Sequence, residues 1–167
     1  MKQSMAVSLL FSFSASLAYA HGDAHHWKHV FDPAATEQKA FGIAGDPGKA
    51  TRTIKITMTD DMRFSPSTLT VKQGETIKFV VSNRGRMLHE MVIGTLPELQ
   101  EHAALMKKFP DMKHDEAHMT HVDPGKSEQM VWTFNKPGNF EFGCLVAGHF
   151  EAGMAGKIKV VPRKTGA

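Results

Sequence analysis

The sequence predicts an all-β fold, an antiparallel two-sheet sandwich with one helical insertion, and three observations carry that prediction. Apolar residues recur at every second position in several short runs, the period of a half-buried strand. Clusters of Gly, Pro, Asn and Asp separate those runs and supply the turns. One segment alone switches to the spacing of an amphipathic helix.

The elements follow in order. Residues 1–20 hold Lys2, an apolar run from Ala6 to Ala18, and Ala18-Tyr19-Ala20, the small-x-small form of a signal-peptidase site, so cleavage after Ala20 is expected. That run is too short and serine-rich to span a bilayer, which makes the mature chain an exported protein with no membrane span. Residues 21–50 show no sustained period, and His21, His25, His26 and His29 mark them as a His-rich amino-terminal arm, laid against the domain through Trp27 and Phe31.

From residue 51 the strand signals begin. Ile54, Ile56 and Met58 alternate with Thr53, Lys55 and Thr57; Leu69 and Val71 repeat the pattern, and Ile77, Phe79 and Val81 follow the turn at Gln73-Gly74. Thr95-Leu96-Pro97-Glu98 has the form of a capping box. Behind it Leu96, Leu99, Ala103, Met106 and Phe109 share a helical face that Pro110 ends. Helix and loop form an insert of about residues 95–122, and its loop gathers Met112, His114, His118, Met119 and His121. Strands return with Met130, Trp132 and Phe134, then with Phe140, Phe142 and Cys144, and finally with Ile158 and Val160. Residues 162–167 form a tail.

Composition narrows the function. The formal charge of +3 across 167 residues, lowered by one when Lys2 leaves with the leader, gives no case for nucleic acid. One domain with a real core fits the length. No Gly-x-Ser-x-Gly or His-Glu-x-x-His motif is present, and neither are the paired His-x-His motifs of a multicopper oxidase, so an enzyme is not expected. A single cysteine in an oxidising compartment has no internal disulfide partner and is free, bridged to another chain, or bound to metal.

That cysteine opens the pattern Cys144-x4-His149-x4-Met154. A thiolate, an imidazole and a thioether are the donor types that suit copper cycling between its two oxidation states. Gly143, Gly148 and Gly153 permit tight turns around them. A second imidazole must come from elsewhere, and His89 in Met87-Leu88-His89-Glu90-Met91-Val92 is the candidate.

With these motifs the chain resembles the cupredoxins, the type 1 blue-copper proteins, and its ligand spacing is more like rusticyanin than plastocyanin. Met62-Arg63-Phe64-Ser65-Pro66, His89-Glu90-Met91-Val92, the His/Met-rich segment near Met112 and Gly148-His149-Phe150-Glu151-Ala152-Gly153-Met154 look like the periplasmic cupredoxins of bacterial copper tolerance. The resemblance spans roughly residues 50–161 and implies a cupredoxin-type Greek-key β-sandwich over 51–161. By resemblance His89, Cys144 and His149 form the trigonal plane around one type 1 copper, and Met154 is the long axial ligand. Glu90 departs from the pattern, since many cupredoxins have asparagine or serine after the first histidine.

Two functions remain open at this point. One is a periplasmic copper-tolerance protein that binds copper and transfers single electrons; the other is a dedicated electron carrier to a periplasmic or respiratory redox partner. The histidines and methionines outside the type 1 site separate them, because a plain shuttle has no use for extra copper donors. His21, His25, His26 and His29 in the arm, with His102, Met106, Met112, His114, His118, Met119 and His121 in the insert, are candidates for additional, weakly bound copper. Copper ions and a redox protein are the expected partners, and a monomer is the expected state.

Overall fold

The structure is a computed structural model that describes residues 31–110, 112 and 114–163. Among the described residues the ten strands are β1 (Ile43–Ala44), β2 (Arg52–Thr59), β3 (Arg63–Ser65), β4 (Thr68–Lys72), β5 (Glu75–Asn83), β6 (His89–Gly94), β7 (Met119–Val122), β8 (Ser127–Phe134), β9 (Gly138–Gly143) and β10 (Ala155–Val161). The helix α1 (Leu96–Lys108) lies between β6 and β7. The expected leader, the arm histidines His21, His25, His26 and His29, Trp27, and residues 164–167 lie outside the described residues.

The strands form two five-stranded sheets, ordered β1-β8-β5-β2-β3 and β4-β10-β9-β6-β7. Antiparallel pairing dominates, as expected, but β2 runs parallel to β5 and β4 parallel to β10. The parallel pairs arise because successive strands change sheets. β4 leaves for the second sheet, and β5 returns to the free side of β2 in the same direction. Alternating side chains set which face is apolar and say nothing of direction.

Between the sheets lies the main core. Ile56, Met58, Leu69, Val71, Ile77, Phe79, Val81, Met130, Trp132, Phe134, Phe140, Phe142, Ile158 and Val160 are all buried, each on the face its alternation predicted. Burial of that many large apolar groups is the principal driving force for the sandwich. The arm also contributes to this body. β1 pairs with β8, and Phe41 is buried, stacked on Trp132 at 5.3 Å, with its carbonyl accepting the indole N–H at 3.1 Å. Phe31 is only half-buried, so Phe41 is the main anchor among the described arm residues.

A second, smaller core sits on the outer face of the second sheet. Leu99, Ala103 and Met106 of α1 pack there against Val92, Met119 and Leu145. The capping box forms as the sequence predicted: Thr95 Oγ1 accepts from Glu98 N–H, and the Glu98 carboxylate accepts from Thr95 N–H at 2.8 Å. Leu96 and Phe109, expected on the buried face, are 43% and 48% exposed, so the helix buries only its central stripe. Because α1 covers one face of β6 and the first sheet covers the other, all six residues of β6 are buried.

Candidate metal centre

Parity along two strands delivers the ligands. On β6, Met91 and Ile93 belong to the core between the sheets, whereas Val92 belongs to the core under α1. His89, two residues before Met91, therefore points inward. The same division follows β9, where Phe140, Phe142 and Cys144 face inward and Leu145 faces α1. His89 and Cys144 thus meet at one end of the sandwich, and both are fully buried.

The segment from Cys144 to Met154 folds back on itself to bring in the rest. His149 N–H donates to Val146 O at 2.9 Å, Met154 N–H to His149 O at 3.1 Å, and Cys144 N–H to Met154 O at 3.0 Å. Gly148 and Gly153 take φ values of 88° and 89°, which a side chain would strain. Gly143 serves packing and not a turn, since a Cβ there would lie 2.7 Å from the Phe150 ring.

The resulting geometry suits a metal. The donor atoms of His89, Cys144 and His149 all lie within 4.8 Å of one another. Cys144 Sγ is 3.3 Å from His149 Nδ1 and 3.8 Å from His89 Nδ1. Met154 is fully buried in the same core cluster as Cys144. Two imidazoles and a thiolate form the mixed nitrogen and sulfur set that copper prefers.

Neighbouring groups prepare these donors. Asp60 Oδ1 lies 3.0 Å from His89 Nε2, which holds the proton on Nε2 and leaves Nδ1 free toward the cysteine. The backbone N–H of Arg86 and then the His89 ring hold the Asp60 carboxyl below its ordinary range. Burial pushes the Cys144 thiol up to about 12, partly opposed by the Glu90 N–H that donates to Sγ at 3.4 Å. The uncharged form of that thiol is favoured until a cation draws the proton off. Burial also lowers the pKa of His149, keeping its lone pair available.

Asp60 gave no sequence signal, since it lies 29 positions before His89 in a turn rich in acidic residues. Glu90 is the other group whose role the sequence left open. Its side chain is 1% exposed, and it accepts from Leu145 N–H at 2.8 Å through Oε1 while Oε2 lies 2.9 Å from His121 Nε2. It ties β6 to the ligand loop at the residue after the cysteine.

Comparison with known proteins identifies the family. Residues 50–161 match the family of copper binding proteins described as plastocyanin/azurin. The chain belongs to that family. This cupredoxin is 44% identical over 158 residues to the copper-resistant cuproprotein CopI of Rubrivivax gelatinosus, covering 93% of each chain. It is 31% identical to CopI of Pseudomonas aeruginosa, again over 93% of each. Among solved structures, auracyanin from Roseiflexus castenholzii aligns with a TM-score of 0.59 at 24% identity, covering 68% of this chain and 99% of that one. Auracyanin B aligns with a TM-score of 0.61 at 16% identity, covering 72% and 96%. Both likenesses support the fold.

The insert residues have separate fates. Met106 and Met119, expected as copper donors in or beside a polar loop, are 6% and 3% exposed and pack in the core under α1. The reason is that residues 119–122 form β7 on the edge of the sheet, which turns Met119 inward toward the helix. Met112 is 42% exposed. His118 packs edge-on against Phe41 and Trp132, with Nδ1 3.3 Å from Glu116. His102, His114 and His121 gather on the outer face beside Glu90, with ring centroids 4.5 Å apart for the first pair and 6.0 Å for the second.

Proposed function

We propose that this cupredoxin is an exported, periplasmic type 1 blue-copper protein of copper tolerance that binds copper and transfers single electrons. The observation that carries the reading is the buried convergence of Cys144 with His89 and His149 at one end of the sandwich. Met154, buried in the same cluster, would offer its thioether to the ion. When bound, copper would supply one-electron redox chemistry there.

The chain's own residues define the rest. Two imidazoles, a thiolate and a thioether leave no open position for a substrate, which favours electron transfer over an enzyme. Asp60 fixes the His89 ring, and the backbone closure between Cys144 and Met154 fixes the loop, so the donors need little rearrangement. His149 is half-buried where His89 is fully buried, which makes its ring the route between the site and a redox partner. No helix among the described residues is long and apolar enough to cross a membrane. Copper tolerance is favoured over a dedicated carrier by the relatives named for copper resistance and by the histidines beyond the type 1 site.

An absorption spectrum of the purified, copper-loaded protein tests the reading. An intense thiolate-to-copper band is expected, lost in Cys144→Ala and altered in His149→Gly, which should accept added imidazole. A His149→Gly variant with an unchanged visible spectrum would refute the ligand assignment.

A further inference from the structure

We propose that the outer face of the second sheet carries a second copper site, built by His102, His114 and His121 beside the buried carboxylate of Glu90. The proposal deepens the copper-tolerance reading and rests on it. The parity that sends His89 inward sends Glu90 outward, toward the space under α1. His121 lies directly across from Glu90 in the antiparallel register of β6 and β7, and its Nε2 approaches Glu90 Oε2 at 2.9 Å. His102 follows the buried Leu99 by three residues on α1, so the helix brings it to the same space. His114 enters from the loop and completes the group, its ring centroid 4.5 Å from that of His102.

Independent of this clustering, one buried atom lacks a partner among the described residues. His114 Nε2 is buried and has no hydrogen-bond partner among them. Its other nitrogen, Nδ1, lies 3.4 Å from Met112 O, and a carbonyl can only accept, so the proton sits on Nδ1. That leaves a bare lone pair on Nε2, buried among imidazoles. A buried unpaired acceptor is costly, and the same arrangement orients histidine ligands in metal sites.

The donor set selects the ion. Imidazole nitrogens and a carboxylate oxygen suit cupric copper, which stands at the top of the divalent affinity order. Met106 and Met119 face the core and supply no thioether here, so the site is not built for cuprous ion. Among the described residues only His89, Cys144 and His149 have donor atoms all within 4.8 Å of one another. Binding at the second site therefore requires the rings to turn so that their donor nitrogens converge, the wider gap lying between His114 and His121 at 6.0 Å between ring centroids. Glu90 joins the two sites: its backbone N–H reaches Cys144 Sγ, while its carboxylate reaches His121.

The test is cupric titration of the mature full chain, followed by copper counting, electron paramagnetic resonance and visible absorption. To keep the arm from contributing, the titration is repeated with His21, His25, His26 and His29 all changed to alanine. Beside the type 1 signal, an ordinary tetragonal cupric signal with nitrogen ligands is expected, and it should survive in the arm variant. Adding His102→Ala and His114→Ala should remove one copper per chain and that signal while the thiolate band stays. The proposal is overturned if the wild type takes up one copper only, if the ordinary signal disappears with the arm histidines, or if it persists at full stoichiometry in the doubly substituted chain. Failure of the type 1 reading would instead show as a missing thiolate band, whatever the copper count.

Discussion

The two faces of β6 treat histidine in opposite ways. On the inner face His89 is fully buried, has its ring fixed by Asp60, and meets donors set by a closed loop. On the outer face His102, His114 and His121 are half-buried and come from a helix, a loop and an edge strand. The inner site is therefore organised before any ion arrives, whereas the outer group depends on how well α1 stays docked. Preorganised donors hold a metal through changes of charge; a looser group binds and releases it more readily.

The largest expected effect comes from loosening the outer face alone. Leu99 is 1% exposed and is the central contact of α1 with the sheet. Leu99→Ala should cost about 2–5 kcal/mol, the usual range for a truncated buried leucine. Hydrogen exchange should quicken across α1 and β7, and the visible spectrum should stay as in the wild type. Loss of the spectrum in a folded Leu99→Ala chain would mean that the inner site depends on the insert.

Acidity sharpens the contrast next. With the Cys144 thiol pushed up to about 12, copper must displace its proton at neutral pH. Affinity at the inner site should rise about tenfold for each pH unit through this thiol alone, as measured by competition against a chelator of known affinity. In the metal-free chain the same burial favours the fold below 9.0, and that contribution is lost as pH climbs toward about 12. No thiol faces the outer histidines, so the pH dependence of copper bound there should follow the imidazoles instead, among them His121, whose protonated form the Glu90 carboxylate favours.

Asp60 tests whether orientation matters at the inner site. Asp60→Ala removes the acceptor beside His89 Nε2 and the partner of the Arg86 N–H at 2.8 Å. Copper affinity should fall about 10–100-fold, the usual effect of losing a group that orients a ligand. Because the folded Asp60 carboxyl titrates below its ordinary value, its stabilising effect is present above that value and lost as pH falls through the folded one. The wild type should therefore lose more stability than Asp60→Ala in that acid window, as measured by denaturant unfolding at a series of pH values.

Much of the fold was legible because alternation and turns are local signals. The strands around Ile56, Leu69, Phe79, Trp132, Phe142 and Ile158 were found through a half-buried pattern, and each of these residues is buried. β6 gave no alternation, since α1 covers its second face and Met91-Val92-Ile93 is apolar throughout. β7 was hidden in a different way: Thr120 and His121 made it read as polar loop, and only the shelter of α1 makes Met119 core. The arm's two-residue β1 was too short to show a period. The cysteine loop was visible through its spacing, and His89 through the motif around it. Asp60 and the pairing of Glu90 with His121 depend on strand register between distant segments, which no single stretch of sequence displays.

The smallest effect concerns the entry to the insert. Thr95 caps α1 through Oγ1, and Glu98 reaches back to the Thr95 N–H. Thr95→Ala should cost about 1 kcal/mol by leaving an orphan amide in the first helical turn. The loss falls wholly on the outer face, because Thr95 follows Gly94 at the end of β6 and touches none of the inner donors. Exchange should therefore quicken in the first turn of α1, with β2, β5 and β9 unaffected. If the outer histidines bind copper only while α1 is seated, Thr95→Ala should also weaken that binding in proportion to the helix opening, while the thiolate band holds its position and intensity. A Thr95→Ala chain that loses neither helix protection nor outer copper would show that the seating of α1 rests on Leu99, Ala103 and Met106 alone.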